Sequence, residues 1–254
     1  MRGAIAALAA TALSACAGAQ DLAAHTEIRL PEGADGPVPA AVMVSGCGGV
    51  QPVQDAYAET ALENGWAAVI VDSHAARGIT RAGAMTLVCT GLILRGQERA
   101  ADVFAALDLV AADERLDASR VVLIGWSHGG WTILDAMAEA AQPGSARGFA
   151  GVRSAYLLYP YCGSIIAADR EPIGDPFAVT MLLAGRDVIA DPGDCRRLAE
   201  RRTVEGSRID IVEEPRLTHA FDSDTHRFDP RMTYDPEGEA RALDRFADML
   251  DAAD

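Results

Sequence analysis

The residues with the clearest chemical promise are Val121-Val122-Leu123-Ile124-Gly125-Trp126-Ser127-His128-Gly129-Gly130, a G-x-S-x-G motif with a β-type apolar run before it and a helical pattern after it. A serine that attacks a carbonyl must present its oxygen on a tight turn at the carboxyl end of a strand, with small neighbours across the turn. Gly125 and Gly129 are those neighbours, and Gly130 lets the next helix approach the sheet. The motif alone is common; the strand–turn–helix setting makes it specific. A serine hydroxyl needs a base. Of the five histidines, His219 follows the last β-type run and is the candidate, with His226 as the alternative. The side chain of His128 should diverge from its neighbour Ser127, and His25 has no supporting pattern. His74, after a strand end, is expected to line the substrate pocket with Trp126 and Phe221. The base needs a carboxylate to hold its tautomer. Met181 to Asp187 ends a strand in Gly-Arg-Asp, which selects Asp187, with Asp191 as its rival. The resulting order Ser127, Asp187, His219 is the order that a serine on such a strand–turn–helix demands of its partners. A developing oxyanion needs donors. The backbone N–H of His128 is one, and the N–H of Cys47 in the loop Ser45-Gly46-Cys47-Gly48-Gly49 is expected to be the other.

These residues need a scaffold, and the apolar patterning supplies one. Short apolar β-type runs at 40–45, 67–72, 121–125, 155–159, 179–184 and 209–212 alternate with helical patterns at 55–64, 97–112, 129–141, 194–202 and 236–252. Continuous apolar strands separated by helices imply a parallel sheet covered on both faces. With right-handed crossovers this is a doubly wound, mostly parallel α/β fold in a single domain over 21–254. No long helical insertion separates Tyr159 from Val179, so no large cap domain is expected. The loops 73–96 and 163–175 should cover the site.

The chain has 254 residues, a net charge of −15 and no lysine. The charge argues against a nucleic-acid partner, because phosphate binding needs clustered cations. The absence of lysine excludes Schiff-base chemistry. Residues 1–20 read as an export signal: Arg2, then an apolar run from Ala4 to Leu13 too short to span a bilayer. Leu13-Ser14-Ala15-Cys16 fits a lipobox, which would lipidate Cys16 and attach the protein to a membrane. Ordinary cleavage before Gln20 is the rival. The expected location is the bacterial periplasm, membrane-anchored or soluble, or the outside of the cell. In an oxidising compartment the other four cysteines, Cys47, Cys89, Cys162 and Cys195, invite two disulfides. Their spacing has no metal-ligand pattern, and the proposed chemistry needs no cofactor.

At this point the chain resembles the dienelactone hydrolase family of α/β-hydrolases. The residues that carry the resemblance are the Ser-Gly-Cys-Gly-Gly loop, Val71-Asp72-Ser73-His74 with Arg77-Gly78, Gly-Trp-Ser-His-Gly-Gly, Gly185-Arg186-Asp187, His219-Ala220-Phe221-Asp222 and Tyr234-Asp235. It implies small-molecule or polymeric ester and lactone substrates, no cofactor, and a nucleophile–Asp–His triad. The family's namesakes use a cysteine nucleophile where this chain has Ser127, and relatives often begin the oxyanion loop with His-Gly where this chain has Ser45-Gly46. A secreted polyester or acetyl-ester hydrolase of the same fold, and a non-catalytic binding protein on the same scaffold, are the alternatives. Because Cys162 and Cys195 follow strands expected to be neighbours, they are paired with each other, leaving Cys47 with Cys89.

Overall fold

The computed structural model describes residues 22–173, 177–204, 209–226 and 228–253. The leader and Cys16 lie outside the described residues, as does Asp175 at the end of the expected cover. The strands are β1 (Thr26–Arg29), β2 (Val38–Val44), β3 (Ala67–Val71), β4 (Leu116–Trp126), β5 (Val152–Leu158), β6 (Ala178–Ala184) and β7 (Ile209–Glu214). The main helices are α1 (Val53–Glu63), α2 (Gly96–Ala112), α3 (His128–Ala140), α4 (Pro192–Val204) and α5 (Pro236–Ala253).

The strands form one sheet in the order β1-β3-β2-β4-β5-β6-β7. All pairs are parallel except β1 with β3. Side chains alternate across each strand, so each inner strand feeds two cores. Ala40, Val42 and Val44 of β2 and Val121 and Leu123 of β4 pack with Val103 of α2, Ile133 of α3 and Leu198 of α4. Ala41, Met43, Val122, Ile124 and Trp126 pack on the other face with Tyr57 of α1 and Phe246 of α5. Because both faces are dry, the inner strands read as unbroken apolar runs. β1 escapes that pattern: its Thr-Glu-Ile-Arg sequence is partly exposed at the sheet edge and pairs antiparallel with β3.

β2 leads to β3 on one side, while β4 lies on the other. The crevice at the carboxyl ends of β2 and β4 is therefore the point where the strand order reverses, which is where ligands bind in sheets of this kind. The Ser45–Gly49 loop leaves β2 there, and Ser127 leaves β4 there.

Candidate active site

Ser127 sits between β4 and α3 with φ 50° and ψ −109°, a left-handed conformation that a non-glycine residue adopts only under constraint. Two glycines make the turn sterically feasible. A Cβ on Gly129 would lie 1.9 Å from the Val44 carbonyl oxygen, and one on Gly125 would lie 2.7 Å from the Gly129 carbonyl carbon. The turn is pinned by the Ser127 N–H donating to the Leu158 carbonyl at 2.9 Å. Among the described residues, four non-glycine residues have positive φ. Three of them, Ser127, Tyr159 and Ala220, lie in or beside this site.

The structure brings Ser127, His219 and Asp187 together. His219 Nε2 lies 2.9 Å from Ser127 Oγ, and His219 Nδ1 lies 2.6 Å from Asp187 Oδ2. The other Asp187 oxygen accepts the Ile189 and Ala190 amides, each at 2.8 Å, so the carboxylate is held at both oxygens. Asp191 instead accepts the Gly193 amide at the start of α4. His226 stands on the pocket wall, where burial lowers its pKa, and makes no bond to Ser127. Tyr159 packs its ring edge-on against His219 at 4.8 Å.

Cys47, after β2, and His128, after β4, line the same pocket. Among the described residues the amide of neither donates to another backbone group, and the first amides of a helix have no intrahelical acceptor. Cys47 is joined to Cys89, and Cys162 to Cys195. The first bond ties the loop after β2 to the segment Ala84–Val88 and Cys89 on the opposite lip.

The pocket above Ser127 has a volume of about 460 Å³. Met85, Val88, Trp131, Tyr161, Ile165 and Ile189 form an apolar wall, while Gln51, Gln54, Arg81, His226 and Arg231 form a polar one. The cover thus comes from both expected loops, with Ile189 and the segment around Arg231 added. Trp126 lines the pocket, but His74 and Phe221 do not. His74 is turned behind the loop after β2, where its Nε2 lies 3.1 Å from the Cys47 carbonyl oxygen. Burial, reinforced by the Arg99 charge, lowers its pKa to about 4. The ring is therefore neutral near pH 7, and its Nε2–H donates to that carbonyl. Phe221 is wholly buried against Tyr159 in the core beneath α1 and α5, because its turn points it under the sheet edge.

Two buried charges beside the site escaped the sequence reading. Arg99 of α2 is 0% exposed. The stripe Arg99, Val103, Ala106, Val110 at helical spacing is its signal, a cation set in an apolar face. Asp222 is 2% exposed and accepts three bonds, from Tyr57 Oη at 3.1 Å, Trp126 Nε1 at 3.2 Å and Tyr159 Oη at 2.6 Å. Burial raises the pKa of Asp222 to about 6 against the pull of those donors. No spacing rule links Asp222 to three aromatics so distant in sequence.

A profile of the dienelactone hydrolase family matches residues 25–253. The fold and this match define an α/β-hydrolase, and the chain belongs to the dienelactone hydrolase family. Among solved structures it is similar to a Klebsiella pneumoniae protein carrying a dienelactone hydrolase assignment, with TM-score 0.70, 16% identity, and 89% of this chain and 92% of that one covered. It is also similar to a dienelactone hydrolase-like promiscuous phosphotriesterase from metagenomic libraries, with TM-score 0.62, 20% identity and 90% and 92% covered. A third is a thermophilic esterase from the planctomycete Thermogutta terrifontis with propionate bound, with TM-score 0.64, 14% identity and 89% and 88% covered. At these identities the likeness is one of fold. No curated protein matches the sequence significantly.

Proposed function

We propose that the protein hydrolyses carboxylic esters or lactones through an acyl-enzyme on Ser127. The observation that carries this reading is the unbroken hydrogen-bond chain from Ser127 Oγ through His219 to Asp187 at the floor of the pocket. Ser127 Oγ attacks the ester carbonyl carbon while His219 Nε2 takes its proton. Asp187 holds the Nδ1–H and stabilises the imidazolium. The carbonyl oxygen becomes an oxyanion held by the Cys47 and His128 amides. As the tetrahedral intermediate collapses, the carbon–oxygen bond to the leaving alcohol breaks and His219 returns the proton to that oxygen. Water then repeats the sequence on the acyl-enzyme, releasing the acid and restoring Ser127.

The apolar wall favours esters with an apolar acyl or alcohol group. Three pocket residues, Met85, Ile165 and Ile189, are also among the exposed large hydrophobic side chains, and Leu87 and Leu92 extend that surface along the cover. The two disulfides fit an oxidising compartment. They accord with export by the leader and, where Cys16 is lipidated, with attachment to a membrane. Mass spectrometry of the mature N-terminus would read which cleavage occurs.

The experiment is labelling with a fluorophosphonate beside turnover of p-nitrophenyl esters of graded chain length. Labelling at Ser127 and its loss in Ser127→Ala, with turnover down by about 10⁶-fold as in other serine hydrolases stripped of their nucleophile, are expected. A folded wild-type protein that neither labels nor turns over any ester or lactone would be a binding module instead.

A further inference from the structure

Arg99 is one of the two buried charges beside the site that the hydrolytic scheme leaves unused. Its side chain is enclosed by the loops that follow three adjacent strands. Nε donates to Ser73 Oγ at 2.8 Å after β3; one terminal nitrogen donates to the Ser45 carbonyl at 2.7 Å and the other to Ser45 Oγ at 3.0 Å after β2. The nitrogen on the Ser45 carbonyl also lies 3.5 Å from His128 Nδ1, just past β4. Among the described residues no carboxylate bonds to this guanidinium. The nearby Asp102 is engaged at both oxygens by Arg77, at 2.8 and 2.9 Å.

Burying a cation without a directly bonded anion is costly, and an apolar side chain of similar volume would serve the fold as well or better. The fold alone therefore does not account for Arg99. Its contacts fall on the backbone that carries the two proposed oxyanion donors. Ser45 is two residues from Cys47, and it is clamped at both its carbonyl and its hydroxyl. His128 carries the second donor, and its ring is wedged between Arg99 and the Trp131 indole, 4.7 Å from the latter. The guanidinium thus bridges the segments that follow β2 and β4, and Arg99 is not among the residues that line the pocket.

We propose that Arg99 is the positioning residue of the oxyanion site, holding the Cys47 and His128 amides at a fixed spacing and adding a buried positive charge beneath them. Such a charge does little for a neutral ester and much for the oxyanion, so its effect belongs to the transition state. The same charge reinforces burial in keeping His74 and His128 neutral, with pKa values near 4 and 3. A neutral His74 can then donate to the Cys47 carbonyl without adding a mobile charge. Burial lowers the pKa of Arg99 itself only to about 10, so the guanidinium stays charged across the working range of a histidine base.

The inference rests on the ester-hydrolase reading, and the test separates the two. Arg99→Met removes charge and fork at similar volume; Arg99→Lys keeps the charge and loses the fork. Each is compared with wild type for turnover of p-nitrophenyl butyrate, and for inhibition by butaneboronic acid and by the uncleaved p-nitrobutyranilide. The boronate becomes tetrahedral and anionic on the serine, whereas the anilide stays planar and neutral. Arg99→Met should lower kcat about 100-fold, the scale of losing one oxyanion donor, with KM changed less than about threefold. Boronate affinity should fall in step with kcat/KM while anilide affinity holds. Arg99→Lys should recover about a tenth of wild-type kcat, since charge without the fork is a partial substitute. Circular dichroism and thermal melting identify a misfolded variant. Should Arg99→Met not fold, Arg99→Lys with Ser45→Ala, which removes one clamp bond, carries the same comparison. Folded variants whose kcat stays within twofold of wild type would overturn the inference, as would boronate and anilide weakening together. A wild-type protein without turnover or Ser127 labelling overturns the hydrolase reading itself.

Discussion

Arg99 and Asp222 lie on opposite faces of the sheet, one on the buried side of α2 and the other beneath α1 and α5, and both are buried beside the same turn. They are held by different partners. Arg99 is bound by two serines and a carbonyl on loops, whereas Asp222 is bound by the hydroxyls and the indole N–H of three core aromatics. Burial acts on both, with different results. It lowers the Arg99 pKa to about 10, far above neutral pH, and raises that of Asp222 to about 6, close to it. The cation is therefore constant over the useful pH range and the anion is not. Their placement is also opposite in sign. Arg99 backs the amides where an oxyanion develops in the proposed reaction, and Asp222 backs Tyr159 and the loop of His219, where an imidazolium develops. The difference teaches that two flanks of one turn can be polarised in advance of charge separation, one by a fixed charge and one by a titrating group.

The comparison can be broken most severely on the histidine side. Asp187→Asn should cost about 10⁴-fold in kcat, because an amide favours the wrong tautomer of the base. Steady-state kinetics on a p-nitrophenyl ester reads this, and a loss under tenfold would remove Asp187 from the proposed array. The Arg99 variants come next in size. Asp222→Asn should be smaller, about tenfold in kcat, the scale of one bond to a charged group, since Asp222 reaches the base only through Tyr159 and the chain.

Asp222→Asn should also change how stability depends on pH. Its native pKa of about 6 lies above the ordinary value of 3.8. Between the two, the native state holds a proton that the unfolded state has released, so stability falls as pH rises from about 4 to about 6 and is level above. The full fall is about 3 kcal/mol. Asp135 has a pKa raised to about 6 by burial too, so it contributes a fall of the same sign. Urea midpoints across that window should therefore drop less in Asp222→Asn than in wild type. An unchanged slope would show that Asp222 does not titrate there. The smallest effect is reserved for Tyr57→Phe, which removes one of the three donors from Asp222 and touches neither Ser127 nor His219. It should cost about 1 kcal/mol of stability and leave kcat within about twofold. A larger loss of kcat would mean that the Asp222 cluster reaches the site more directly than its contacts indicate.

The legibility of this protein follows from range. Gly125, Ser127 and Gly129 lie within five consecutive residues, and the constraint that unites them is the local shape of one turn, so it could be read in the chain. The five inner strands were legible because burial on both faces leaves runs of apolar side chains, and the edge strand β7 was legible through its short Ile209–Val212 run. β1 was not, since an edge strand is exposed along one side and four partly polar residues carry no period. His74 and Phe221 were misplaced for a related reason. Each lies next to a site element in sequence, but which way a loop side chain turns is decided by the packing around it. His74 turned under the Cys47 carbonyl and Phe221 into the core.

Sequence alone determined the strand–helix alternation, the turn that exposes Ser127 and the chain order Ser127, Asp187, His219, because each depends on local sterics or on periodic burial. The pairing of Cys162 with Cys195 and of Cys47 with Cys89, and the meeting of His219 with Asp187, were expected from strand order and are found; only the tertiary structure decided the seats of Arg99 and Asp222 on opposite faces and the inward turns of His74 and Phe221. A buried charge is stable only where several donors or acceptors converge. In this fold that convergence draws on loops and helices far apart in the chain, a property of the assembled sheet that no single segment encodes.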